Sequence, residues 1–252
     1  MREEVTKSQS AQGPAEFFNA MRKNFARILA QGKGDPRLID VLAAQAGDNY
    51  ERNVAIQSEG LPPHACGKGC ETCCCLQVAA TAPEIFHAAH YIRVTGQAFA
   101  AHGVDLAARV RQSQAHLSGK SDVERFVSRA PCPLIIGAAC AIYAARPLAC
   151  RGHVSFDREA CIAIAAGQDA EAPASEVHKT VRALVQNALQ AAMRDAGLSW
   201  GAYEFLAALD RVLQDPQCEA RWKAGVDVFA DLQLGTEQSP SLAESFDALR
   251  EY

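Results

Sequence analysis

Five of the ten residues from Cys66 to Cys75 are cysteines, in the order Cys66-Gly67-Lys68-Gly69-Cys70-Glu71-Thr72-Cys73-Cys74-Cys75. A looser group follows, Cys132, Cys140, Cys150 and Cys161, and only Cys218 stands apart. Thiolate is the side chain that soft and borderline metals select. A segment that must turn several sulfurs inward cannot run as one helix or strand, and the breakers are in place. Pro62 and Pro63 precede the first group, Pro131 and Pro133 flank Cys132, and Pro147 precedes Cys150. Gly67 and Gly69 allow a tight turn between Cys66 and Cys70.

Disulfides are the competing explanation for so many cysteines. They staple small secreted domains that lack a core. With 252 residues, 49% hydrophobic and 21% charged, this chain has material for a core without staples. The polar start MREEVTKSQSAQG has no apolar stretch of a signal peptide. No segment reaches the roughly eighteen apolar residues of a membrane span. A cytoplasmic location with reduced thiols is therefore expected, with no membrane partner. The net charge of −4 and the absence of a basic run give no case for nucleic acid.

Around the cysteines the pattern is helical. Phe17, Phe18, Met21, Phe25, Ile28 and Leu29 recur at helical spacing up to Gly32, and Leu38, Ile39, Leu42 and Val54 form a second such stretch. Thr81-Ala82-Pro83-Glu84 is a capping box that opens a helix burying Ile85, Phe86, Ala89 and Ile92. The clearest helix spans Ser175 to Ala196, with Gly197 just beyond its end. Another is expected from Ser199, with Tyr203, Leu206, Leu209, Val212 and Leu213 on one face, stopped by Pro216. Residues 167–174 and 235–241 read as loops, and there is neither an internal repeat nor a strand–helix alternation. The expected fold is mainly α, with helices packed around an irregular, cysteine-rich metal-binding centre. Its organisation is an N-terminal helical segment over 1–60, a cysteine-cluster domain over 61–165 and a C-terminal helical segment over 166–252, forming one compact unit.

The C-x3-C-x2-C spacing of Cys66, Cys70 and Cys73 also matches the cluster triad of radical SAM enzymes. That reading requires a β/α barrel and an aromatic where Thr72 stands, and it leaves the second cysteine group unused. A different resemblance covers more of the chain. The string Cys66-x-x-Gly69-Cys70-x-x-Cys73-Cys74, followed by Val78, Thr81 and Glu84, resembles the first half of the zinc- or iron-chelating cysteine-cluster family (YkgJ-type). Cys132-Pro133-Leu134, then Cys140-x-Ile142-Tyr143-x-x-Arg146-Pro147-Leu148-x-Cys150-Arg151, resembles its second half. This chain has three residues between its first two cysteines, where many members have two. The resemblance implies metal binding by Cys66, Cys70, Cys73, Cys74, Cys132, Cys140, Cys150 and Cys161. Cys75 and Cys218 fall outside the pattern and read as ordinary buried thiols. A similar cluster occurs in bacterial flagellin lysine methylases, which keeps a protein-modifying transferase in view, although no glycine-rich fingerprint for a methyl donor is present.

Two features favour an iron–sulfur cluster, [4Fe–4S], over zinc. Structural zinc takes closely spaced cysteine pairs, whereas the four later cysteines are separated by seven, nine and ten residues. Two zinc ions on eight thiolates also leave twice the negative charge of one [4Fe–4S] cluster on four, and buried charge is costly. Lys68, Arg146, Arg151 and Arg158 are near enough in sequence to offset part of it. Arg146 and Arg151, bracketing Cys150, are the expected cluster-contacting side chains, as donors to its sulfurs. Adjacent Cys73 and Cys74 are expected to diverge, so that one serves a second metal or another edge. Tyr143 reads as a packed core residue, His64 and His153 as surface or outer positions, and His87 with His90 as a solvated pair. The expected function is metal binding in a structural or electron-transfer role with a protein or redox partner. The other reading is a metal-dependent enzyme, an oxidoreductase or a transferase.

Overall fold

The computed structural model describes residues 13–235 and 239–249. The polar residues 1–12 lie outside the described residues, as do 236–238 of the expected 235–241 loop. The described elements run α1 (Pro14–Gln31), α2 (Leu38–Gln57), β1 (Ala79–Thr81), α3 (Ala82–Ala100), α4 (Leu106–Leu117), α5 (Asp122–Ser128), β2 (Ile135–Ile136), β3 (Ala139–Cys140), α6 (Leu148–Gly152), α7 (Arg158–Ala165), α8 (Glu176–Asp195), β4 (Ala202–Glu204), α9 (Phe205–Gln214), α10 (Cys218–Lys223) and α11 (Ser239–Ala248). The fold is mainly α, with two small two-stranded sheets. No helix among the described residues is long and apolar enough to cross a membrane.

The centre of the packing is α8. Val181, Val185, Ala188, Leu189, Ala192 and Met193 recur on its inner face and are buried. Against it lies α1 with Phe18, Met21, Phe25 and Leu29, and α2 packs on α8 beside it. Burying side chains of this size is worth about 1.5–3 kcal/mol each. The Ser175 hydroxyl caps α8 by accepting from the His178 amide, and Gly197 (φ 71°) follows its C-cap. One buried cluster, from Phe18 to Phe246, contains side chains of the N-terminal, cysteine-bearing and C-terminal stretches.

The helix expected from Ser199 begins later. Ala202–Glu204 is instead strand β4, paired antiparallel with β1 in the register Ala79↔Glu204, Ala80↔Tyr203 and Thr81↔Ala202. Tyr203 is fully buried as a strand residue, and α9 starts at Phe205, with Glu204 as its cap. Three residues with an aromatic centre satisfy a strand as well as a helix face, and pairing with β1 decides between them. The loop expected up to Ser241 is shorter as well, because α11 begins at Ser239.

Candidate metal centre

The first cysteine group is a chain of tight turns. The Cys70 amide donates to Gly67 O at 3.0 Å, the Cys74 amide to Glu71 O at 2.9 Å and the Leu76 amide to Cys73 O at 3.1 Å. Gly69 holds φ 87° at the third position of the first turn, a conformation that glycine takes without steric cost. Cys73 and Cys74, expected to diverge, follow one another in these turns, and the Cys74 side chain raises the Cys73 thiol. Alternation to opposite faces belongs to extended strands, and these residues sit in a turn.

The second group is drawn together by a hairpin and two short helices. Ile135 pairs with Cys140 across β2 and β3, so the seven residues between Cys132 and Cys140 turn back on themselves and return Cys140 toward Cys132. Its turn residues Gly137 (φ 56°) and Ala138 (φ 59°) are both left-handed, as a two-residue type I′ turn requires. Cys150 lies on α6 and Cys161 on α7, so half of this group is carried by helices rather than by irregular chain. Close approach fixes α6: a Cβ on Gly152 would meet the Arg182 side chain of α8 at 2.6 Å. The two groups are tied directly. The Cys132 amide donates to Cys74 O at 2.7 Å, and the Ser155 amide donates to Cys66 Sγ at 3.4 Å.

The sulfurs consequently fall into two adjoining neighbourhoods. Burial pushes the Cys66 thiol up, and the sulfurs of Cys70, Cys73 and Cys161 add to the rise. For Cys150, the protein packed around its sulfur raises the thiol well above its ordinary range, helped by Cys132, Cys140 and Cys73, although part of the residue is open to solvent. Burial takes Cys132 up to about 11, with Cys140 contributing, and burial also raises Cys140. The bond to Cys74, followed by burial, raises Cys73, which borders both neighbourhoods. As placed, no three His, Cys, Asp or Glu side chains among the described residues form a group that would hold a metal ion. Two of the sulfurs turn to nearby carbonyls: Cys66 Sγ donates to Ser155 O at 3.8 Å and Cys75 Sγ to Thr72 O at 3.6 Å. The donor chemistry fits a thiophilic metal or cluster, which would be loaded with loss of those protons.

The arginines differ from expectation. Arg151 donates to Arg146 O, Ala144 O and Glu51 Oε1, the last at 2.6 Å, which occupies its guanidinium away from any sulfur. Arg146 stacks 3.9 Å from the Tyr143 ring centroid, its Nε is buried without an acceptor, and its charge favours the thiolates of Cys140 and Cys150. Tyr143 is 59% exposed, so it is a platform for Arg146 and not a core residue. Arg129 does reach a sulfur of the first group: its Nη1 donates to Cys75 Sγ at 3.3 Å while Nη2 holds Ile164 O. Cys75 is thus a half-buried, engaged thiol, whereas Cys218 is fully buried in the core. No motif marked Arg129; it takes part because it ends α5 in a left-handed turn (φ 51°) and lies over Phe126.

His64 and His153 are exposed, as expected. His87 and His90 are not a solvated pair. Asp40 Oδ1 on α2 bonds His87 Nδ1 at 2.7 Å and His90 Nδ1 at 3.1 Å, and Glu219 Oε2 on α10 bonds His90 Nε2 at 2.7 Å. With a carboxylate at each ring nitrogen, His90 is stabilised as the imidazolium. The bond to Glu219 raises its pKa against the opposing effect of burial, and Asp40 adds to the rise. For Glu219, burial alone would raise the pKa, but bonds from His90 and Lys223 bring it down to about 2. A raised folded pKa stabilises fully below the unfolded value of about 6.5 and is lost as pH rises through the folded value. Stability measured by urea unfolding should therefore fall as pH rises through that window, and His90→Gln should flatten the fall. An unchanged slope in the variant would remove His90 as the source.

No protein-family model, no curated protein and no solved structure matches the chain.

Proposed function

We propose that this is a metal-binding protein of the cysteine-cluster type, whose Cys66, Cys70, Cys73, Cys74, Cys132, Cys140, Cys150 and Cys161 hold a [4Fe–4S] iron–sulfur cluster, with zinc as the alternative metal. The role is structural or electron transfer to a protein or redox partner in the cytoplasm. What supports this reading, beside the density of cysteines, is the approach of stretches distant in sequence: the Cys132 amide donates to Cys74 O at 2.7 Å, and the Ser155 amide donates to Cys66 Sγ at 3.4 Å. Such gathering of thiols has no role in a reduced core that Cys218 alone already illustrates. Arg146 supplies positive charge beside Cys140 and Cys150, which offsets part of the charge of bound thiolates.

The test is anaerobic purification followed by an absorption spectrum and quantification of iron, sulfide and zinc. About four irons and four sulfides per chain with a broad visible band would establish the cluster. A colourless protein holding one or two zincs, on the order of one per four thiolates, would make the site a zinc site. A protein free of both would overturn the proposal. The second reading, a metal-dependent oxidoreductase or a protein-modifying transferase resembling a lysine methylase, is favoured by one specific observation: a cleft of about 300 Å³ lined by Arg146, Leu148 and Arg151 beside Cys150.

A further inference from the structure

We propose that residues 155–174 form a strap that closes on the first cysteine group, with Arg129 as its latch and Cys161 as the metal ligand made last and lost first. The inference rests on the metal-binding reading and adds to it the route by which metal enters and leaves. The two ends of the strap meet. Ser155 pairs with Ala174 in an antiparallel bridge, and the Phe156 amide and the Ser155 hydroxyl both donate to Pro173 O, at 3.0 Å and 3.1 Å. This base is fixed to the body. The Ala65 amide donates to Ser155 O at 2.9 Å, and the Ser155 amide donates to Cys66 Sγ at 3.4 Å. Between the ends lie α7, which carries Cys161, and the exposed residues 166–171.

What lies beyond the base is held weakly. No residue of α7 is buried, Ile162 is 42% exposed, and no helix or strand among the described residues packs extensively on it. A helix of eight residues does not persist alone in water, so α7 depends on attachments. Its cap, Asp157 accepting from the Ala160 amide at 2.9 Å, shapes it without attaching it. Past Ser155, a single hydrogen bond among the described residues joins the strap to the body, from Arg129 Nη2 to Ile164 O at 3.2 Å. The other arm of that guanidinium, Nη1, donates to Cys75 Sγ at 3.3 Å. The strap is thus tied to Cys66 at its base and, through Arg129, to Cys75 at its far side, which are the two ends of the first cysteine group. A fixed wall of the site would bury an apolar face against the core; segments that bury little are the ones that open locally. Cys161 lies within electrostatic reach of Cys66. Its bond to a metal, made as the thiol proton passes to solvent, supplies the attachment that packing does not.

The experiment is hydrogen–deuterium exchange, read by mass spectrometry, on the full-length chain. It is run with the metal held on anaerobic purification and again after a chelator has stripped that metal under reductant. In the stripped chain the amides of 158–168 should exchange about tenfold or more faster than those of 185–193 in α8, and the bound metal should slow them by a similar factor. Arg129→Gln should speed their exchange in both states. It should also raise the rate at which the loaded chain yields metal to a chelator by about tenfold, with metal content at saturation unchanged. Arg129→Lys keeps the charge but cannot bridge a sulfur and a carbonyl, so it should act alike and keeps the test decisive if Arg129→Gln unfolds. Amides of α7 as protected as those of α8 in the stripped chain, exchange in 158–168 unchanged by bound metal, or wild-type release rates in both variants would each overturn the strap and leave the metal reading standing. A chain that holds no metal would overturn that reading and the strap with it.

Discussion

Cys70→Ser and Cys140→Ser are each expected to lose most of the bound metal and to lower stability by several kcal/mol, on the order of a substantial part of the binding free energy. Cys218→Ala should keep the metal in full. The three residues are chosen for their surroundings. Cys70 ends the glycine turn that faces Cys66, Cys140 ends the hairpin that returns to Cys132, and Cys218 is buried in the core at the start of α10. Serine differs from cysteine by one atom, so a structural role for Cys70 and Cys140 would cost only about 1 kcal/mol. Loss of a ligand removes a bond that the unfolded chain does not have. Cys218→Ala costs about 1 kcal/mol through the small cavity it leaves, with no change in metal content. Metal analysis by mass spectrometry and urea unfolding of the same preparations separate the two. Equal metal content in all three variants would remove the ligand assignment.

Much of the architecture is legible in the sequence because it is local. The capping box at Thr81, the Ser175 cap, the apolar stripe of α8 and the glycine at 197 are each decided within one or two turns of chain. What the sequence does not reveal depends on partners far away. The strand at Ala202–Glu204 exists because β1 lies opposite, more than a hundred residues earlier. Tyr143 looks like a core aromatic, but it is 59% exposed and carries the Arg146 guanidinium on its ring face. The His87–Asp40–His90–Glu219 chain joins three helices, and spacing on one helix cannot predict its carboxylates. The candidate site divides in the same way. The cysteines announce themselves by density, but their partition around Cys73 and the approach of Arg129 to Cys75 follow from the hairpin and the left-handed end of α5.

Glu84→Ala is expected to destabilise the protein by about 3–5 kcal/mol, whereas Glu124→Ala, at the same position of a second capping box, should cost far less. Locally the two are equivalent. Glu84 Oε2 accepts from the Thr81 amide at 2.8 Å and its hydroxyl at 2.7 Å; Glu124 Oε2 accepts from the Ser121 amide and hydroxyl, both at 2.8 Å. The difference is tertiary. Glu124 is exposed, and water replaces what its removal takes away. Glu84 is only 5% exposed, and its second oxygen accepts from the Leu148 amide at 2.6 Å, at the first residue of the helix that carries Cys150. Removing the carboxylate strands several buried donors, and bonds to a charged acceptor are worth about 1.5–3 kcal/mol each. It also releases α6 from α3, so the loss should reach the metal centre. The Leu148 amide should exchange faster with deuterium, and Cys150 should react faster with a thiol reagent in Glu84→Gln than in the wild type. Equal destabilisation by Glu84→Ala and Glu124→Ala would show that the capping box alone accounts for Glu84, with no role in holding Cys150.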